Sequence, residues 1–176
     1  MRRYVTMIAC GLLALTGFAQ AQSGTTTLSV VVGPEAALTV TTGTTSLATT
    51  STTFGNPYTG TTNLTYLIRT TKTNGSGTLT LKITTDFAGS GGPSVGTPPT
   101  AGDALTYTCT VSTPGTACTG SQTASTTAST AFGTWGPGVS SAKAGNSASV
   151  AWSLTDDPVY ATGTYTATAT FTIGAV

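Results

Sequence analysis

Cys109 and Cys118 stand either side of the turn Pro114-Gly115. In an exported chain, two cysteines so spaced read as a disulfide across a hairpin. The loop they close is small, so its stabilisation is modest. Two cysteines without histidine fall short of a zinc set, and no metal is expected there. Ser140-Ser141-Ala142-Lys143 spells S-x-x-K, the spacing of a serine–lysine nucleophile pair. That chemistry needs the serine at a helix start with the lysine one turn on, and a Ser/Ala/Gly loop supplies neither. The chain has no histidine, so the usual serine–histidine–aspartate triad is absent. A glycosidase needs two carboxylates across a cleft. The acids Glu35, Asp86, Asp103, Asp156 and Asp157 sit at strand ends or in loops, where Asp normally caps a turn. No catalytic residue and no cofactor is expected, and the chain does not read as an enzyme.

Binding chemistry has few carriers. Asp86 and Asp103 flank a long loop, and Asp156-Asp157 ends another strand. Calcium takes oxygen ligands from such loops, but no dense D-x-D pattern is present. Trp135 in TWGPG and Tyr58 in GNPYTG are the candidates for stacking on a sugar, although such rings more often pack into a core or a turn. The GSGG run near residue 90 precedes no helix and so is no phosphate loop. Asn63-Leu64-Thr65 and Asn74-Gly75-Ser76 match the glycosylation sequon, a match that comes easily in a Thr-rich chain.

The elements that must hold these residues come after an export signal. Met1-Arg2-Arg3 is basic, Val5 to Phe18 is apolar, and Ala19-Gln20-Ala21 is a small-x-small cleavage site. This order predicts a secretory signal over residues 1–21 and one domain over residues 22–176, secreted to the periplasm or the cell surface. Met7-Ile8-Ala9-Cys10 only loosely fits a lipobox, because the apolar run continues well past it. No later segment approaches the apolar length of a membrane span. Arg69, Lys72, Lys82 and Lys143 then face the five acids. No basic patch results, so nucleic acid is not an expected partner.

Threonine fills 45 positions, and it alternates with apolar residues instead of clustering. In Gly163 to Ile173 the residues Tyr165, Ala167, Ala169, Phe171 and Ile173 face one way, and five threonines face the other. Threonine is β-branched and hydrated, so it gives a sheet a polar outer face without charge. Leu28, Val30 and Val32 alternate before Gly33-Pro34, and Ala36, Leu38 and Val40 alternate after it. Leu64, Tyr66 and Ile68, a turn at Asn74 to Gly77, then Leu79, Leu81 and Ile83 read as a hairpin. Residues 88–102 form a Gly/Pro/Ser loop. Leu105 to Val111 and Ala148 to Leu154 supply further strands. About seven to nine such strands predict an all-β, antiparallel, immunoglobulin-like sandwich, with a barrel as the alternative.

Three segments resemble the spore coat protein U family, secreted subunits related to chaperone–usher pilins. Glu35 to Val40 followed by Thr53-Phe54-Gly55-Asn56-Pro57-Tyr58 is similar to the family's opening strand and its FG-x-Y segment. Trp135-Gly136-Pro137-Gly138 is similar to its Trp-Gly-x-Gly, and Gly163-Thr164-Tyr165 to the start of its closing strand. The family's cysteine near Ala36 or Ala37 is missing, and the ending Ile173-Gly174-Ala175-Val176 differs from the usual one. The resemblance implies a sandwich completed by a strand from a neighbour and assembled into a surface fibre, pilus or coat. Leu28, Val30 and Val32 are then the candidate donor strand, and the partners are further copies or neighbouring subunits. The alternative is a stand-alone secreted sandwich that binds a ligand such as a glycan through its loops.

Overall fold

Period-two alternation gives each segment one apolar and one polar face, and such segments are stable only when two apolar faces meet. The computed structural model describes residues 23–176 and contains nine strands and, among the described residues, no helix. The export signal expected over residues 1–21 lies outside the described residues. The strands are β1 (Glu35–Val40), β2 (Tyr58–Arg69), β3 (Gly77–Thr85), β4 (Thr106–Val111), β5 (Thr116–Ala117), β6 (Gln122–Thr123), β7 (Thr130–Trp135), β8 (Asn146–Leu154) and β9 (Thr168–Ala175). They form two sheets, in the orders β1-β2-β8-β4-β6 and β5-β7-β3-β9, with every pairing antiparallel. The chain is therefore an all-β sandwich, as its patterning predicts. Residues Val32–Val176 form the compact unit that carries all nine strands.

The core lies between the sheets. Leu64, Tyr66 and Ile68 of β2 and Ala148, Val150, Trp152 and Leu154 of β8 meet Leu79, Leu81 and Ile83 of β3 and Phe132 of β7. Aromatic pairs fill its widest parts: Tyr66 on Trp135 at 4.8 Å across the two sheets, and Phe132 on Phe171 at 5.9 Å. Buried hydroxyls find partners. Tyr107 donates to Thr130 Oγ1 at 2.6 Å, and Trp152 Nε1 donates to Thr62 Oγ1 at 2.9 Å. Such bonds remove most of the cost of burying polar atoms. Trp135 Nε1 alone among the buried side-chain donors has no hydrogen-bond partner among the described residues. It lies under Gly115, where an added Cβ would come within 2.8 Å of it.

Three expectations are corrected. The run from Leu64 to Ile83 is not a hairpin. Strand β2 pairs with β1 and β8, whereas β3 pairs with β7 and β9, so residues 70–76 carry the chain from one sheet to the other. The turn at Pro114-Gly115 likewise joins β4 of one sheet to β5 of the other. The Cys109–Cys118 disulfide is present, with Cα atoms 5.5 Å apart, but it ties the two sheets together at their rim instead of spanning a hairpin. The closing strand begins at Thr168, not Gly163, because residues 161–166 serve the long loop instead: Ala161 donates to the Gly91 carbonyl and Ala88 to that of Thr166. The Tyr165 ring lies where a Cβ on Gly92 would be, which explains the glycine there.

Candidate functional site

The two rims of the sandwich differ. At one, β5 and β6 are two residues long each, and the disulfide closes the gap between the sheets. At the other, β9 pairs only with β3 and β1 only with β2. Along β9 the inward residues Ala169, Phe171, Ile173 and Ala175 are only half-buried, as are Ala36 and Leu38 on β1. The same apolar alternation on the inner strands β2, β3 and β8 is fully buried. Strands β9 and β1 lie beside each other at this rim, and the core is more thinly covered there than between the inner strands. An edge strand with free N–H and C=O groups is a template for another strand unless charge, proline or a bulge blocks it. The outward face of β9 holds only threonine and glycine, Thr168 to Gly174, with Lys82 of β3 opposite Thr170.

Leu28, Val30 and Val32 are exposed at 91, 83 and 60 %, and Val31 at 97 %. Residues 23–34 contain no regular structure. Four large apolar side chains so close together and so exposed are an unusual feature of a protein surface. The root of this segment is fixed: Arg69 Nε donates to the Gly33 carbonyl at 2.7 Å, and its guanidinium pairs with Glu35 at 3.1 Å.

The stacking candidates lie elsewhere. Trp135 is 4 % exposed and belongs to the core, so its faces are closed to a ligand. Tyr58 is half-buried against the core, and its pKa is pushed up, first by Asp156 beside its hydroxyl and then by burial. Sequence reading passed over the aromatic ring that is exposed: Phe54, at 66 %, in the loop before β2. Its signals were its place in the Thr53 to Tyr58 segment similar to FG-x-Y and among turn residues, Phe54-Gly55-Asn56-Pro57.

The S-x-x-K residues are strand-edge residues. Ser140 bridges Arg69, and the Ser141 hydroxyl accepts the Ile68 N–H at 2.9 Å. A shallow cavity of about 280 Å³ lies there, with Arg69 and Lys143 on its walls. The calcium candidates divide. Asp86 closes its own loop, accepting the N–H groups of Phe87, Val95 and Gly96 and the Ser94 hydroxyl at 2.7–3.0 Å. Asp103 and Asp157, far apart in sequence, influence each other's titration; Tyr160 donates to Asp103 at 3.4 Å, and Thr100 donates to Asp157. Among the described residues no three His, Cys, Asp or Glu side chains stand together as a metal site.

These carboxylates titrate in opposite directions. Burial alone would raise Asp86, but the hydrogen bonds from Val95, Gly96, Ser94 and Phe87 together hold it below the usual 3.8. Asp103 is raised, chiefly by the bond it shares with Asp157, while Asp157 is lowered, first by Thr100 and then by the Val159 N–H. Tyr160 beside them is pushed up to about 12 by burial and then by the charge of Asp103. A lowered acid stabilises the fold above its unfolded pKa, and that contribution is lost as pH falls through the folded value. Asp86→Ala should therefore cost about 1–2 kcal/mol at pH 7 and progressively less as pH falls through the lowered folded value, as denaturant melts across that range would show. Asp103 has the opposite sign: its ionisation as pH rises destabilises the fold. Asp103→Asn should raise Tm at pH 7 and leave it unchanged at low pH; a lower Tm at pH 7 would refute this.

No family model matches the chain, and neither a curated protein nor a solved structure matches it significantly.

Proposed function

We propose that the chain is an exported, non-enzymatic structural subunit of a surface fibre, pilus or coat. Residues 25–32 of one copy add a strand along β9 of the next. The observation that carries this reading is the exposed alternation Leu28, Val30 and Val32 in a chain whose edge strand β9 keeps a half-buried apolar row. Main-chain hydrogen bonds to the free edge of β9 supply affinity. The three side chains add cover to the core along β9, at about 1.5–3 kcal/mol each when fully buried. The reading accords with the resemblance to the spore coat protein U family and with an export signal over residues 1–21. The exposed Phe54 ring favours a second reading, a stand-alone secreted sandwich whose loops bind a ligand such as a glycan. Sedimentation of the exported protein separates the two. The subunit forms polymers as its concentration rises. A protein that stays monomeric at high concentration, and binds no synthetic peptide of residues 25–32, is not such a subunit.

A further inference from the structure

Residues 163–167 are patterned as a strand and do not form one. Tyr165 and Ala167 continue the inward row Ala169, Phe171 and Ile173, with Thr164 and Thr166 between them. Strand β3 leads toward a partner for them. The Ala88 N–H donates to the Thr166 carbonyl at 3.3 Å, which carries the β3–β9 pairing past Thr85 and Thr168. Other contacts draw the segment aside. The Ala161 N–H donates to the Gly91 carbonyl at 2.7 Å, the Tyr165 hydroxyl turns back to the Ala161 carbonyl at 2.8 Å, and the Tyr165 ring lies against Gly89 and Gly92.

The two loops that make these contacts, 86–105 and 155–167, are also tied together by acids. Asp103 before β4 and Asp157 after β8 are both buried. The Thr100 hydroxyl donates to Asp157, and so does the Val159 N–H at 2.8 Å. The Tyr160 hydroxyl donates to Asp103 at 3.4 Å, and the Tyr160 N–H to the Asp157 carbonyl at 3.0 Å. Asp156 lies beside them and acts on Tyr58 and Tyr160. Each of these partners is neutral or acidic. Of the described cations, Arg69 pairs with Glu35 at the other end of β2 from Tyr58, and Lys72 and Lys143 line the cavities beside Arg69. Lys82 stands within β3, opposite Thr170. Two buried carboxylates that act on each other without a cation between them resist being ionised together. Asp157 has two good donors and keeps its charge, whereas Asp103 has one long bond and takes the proton. Their titrations diverge accordingly: Asp103 is raised, first by Asp157, and Asp157 is lowered, first by Thr100.

We infer that loops 86–105 and 155–167 form a pH-sensitive latch, which in acid holds residues 163–167 out of β9 and at neutral pH releases them to lengthen its free edge. The inference rests on the subunit reading above and adds its regulation. A carboxyl raised in the closed latch favours that state in acid, and the preference is lost as pH rises from the ordinary value through the raised one. With Asp103 protonated, its O–H is a donor for the Asp157 carboxylate. With both ionised they repel, and the strain falls on loops held by single hydrogen bonds, not on the core. Tyr160 remains a donor throughout, because burial and then Asp103 push it up to about 12. Once released, Tyr165 and Ala167 follow Ala169 inward, and the edge that accepts residues 25–32 grows at its Thr168 end.

Hydrogen exchange of the full chain, purified after export and kept dilute, tests this at about pH 4 and about pH 7.5, with rates corrected for the intrinsic effect of pH. Amides of residues 158–166 should be at least about threefold less protected at the higher pH, while β2 and β8 keep their protection. Asp103→Asn keeps an acceptor for Tyr160 and gains an N–H for Asp157, so it should stay protected at both pH values. A synthetic peptide of residues 23–34 should protect β9 alone at the lower pH and residues 164–167 as well at the higher. On Asp103→Asn its footprint should be that of the lower pH throughout. Wild-type exchange that does not change with pH, or an Asp103→Asn protein that loosens as wild type does, overturns the latch and leaves the subunit reading standing. A latch that opens while the footprint stays on β9 alone refutes the lengthened edge. A peptide that protects nothing at either pH overturns the subunit reading, and its regulation with it.

Discussion

Deletion of residues 22–32 is expected to leave the folded domain intact and to abolish its assembly. The segment contributes no strand, and Leu28, Val30 and Val31 are almost fully exposed. Removing them forfeits almost no burial within the chain, so Tm should move by less than about 2 °C, the equivalent of under 1 kcal/mol in a domain of this size. Assembly should fall to background, because the donor strand has gone. The truncated protein should still bind a synthetic peptide of residues 25–32 along β9. If the segment were instead the first strand of its own sandwich, deletion would expose its groove and cost several kcal/mol, and the protein would melt early or aggregate. A large loss of Tm therefore sinks the donor-strand reading. So does unchanged assembly by the shortened chain.

The faces of the strands were legible from sequence, and their partners were not. Alternation at Leu64-Tyr66-Ile68 and Ala148-Val150-Trp152-Leu154 told which side chains point inward, and all seven are buried. The same alternation at Leu28-Val30-Val32 marks a segment able to bury one face, and in this chain alone it takes no strand. Period two reports only that a segment could bury one face, whereas pairing needs a neighbour with a free edge. The error at residues 70–76 has the same root. Asn74 and Gly75 mark a turn, and Asn74 takes a positive φ of 58°, but a turn that stays in one sheet and one that crosses to the other use the same residues. Strand β7 was missed because its alternation is broken. Its register slips between Leu79 and Thr80 of β3, leaving Phe132 as an extra residue in a bulge. The link between Asp103 and Asp157 depends on strand order, and no local pattern carries it.

Phe132 and Phe171 offer a measure of how thinly the core is covered along β9. Phe132 is fully buried, and Phe171 meets it edge-on at 5.9 Å but is itself only half-buried on the edge strand. Phe132→Ala should cost about 4 kcal/mol, from lost transfer energy and the cavity left behind, a large fraction of the 5–15 kcal/mol that holds a domain folded. Phe171→Ala in the free protein should cost about half as much, because water already reaches half of that side chain and the surroundings can collapse. The difference should shrink once a strand lies along β9. An added strand covers Phe171 on its open side, so the substitution then also removes contacts with the incoming segment. Binding of the 25–32 peptide to Phe171→Ala should be weakened roughly tenfold or more, equivalent to about 1.4 kcal/mol. Urea melts of the two variants, with and without the peptide, measure both effects. If Phe171→Ala binds the peptide as wild type does, the incoming strand does not lie on β9. If Phe171→Ala destabilises the free protein as much as Phe132→Ala, then β9 already completes a closed core and there is no groove to fill.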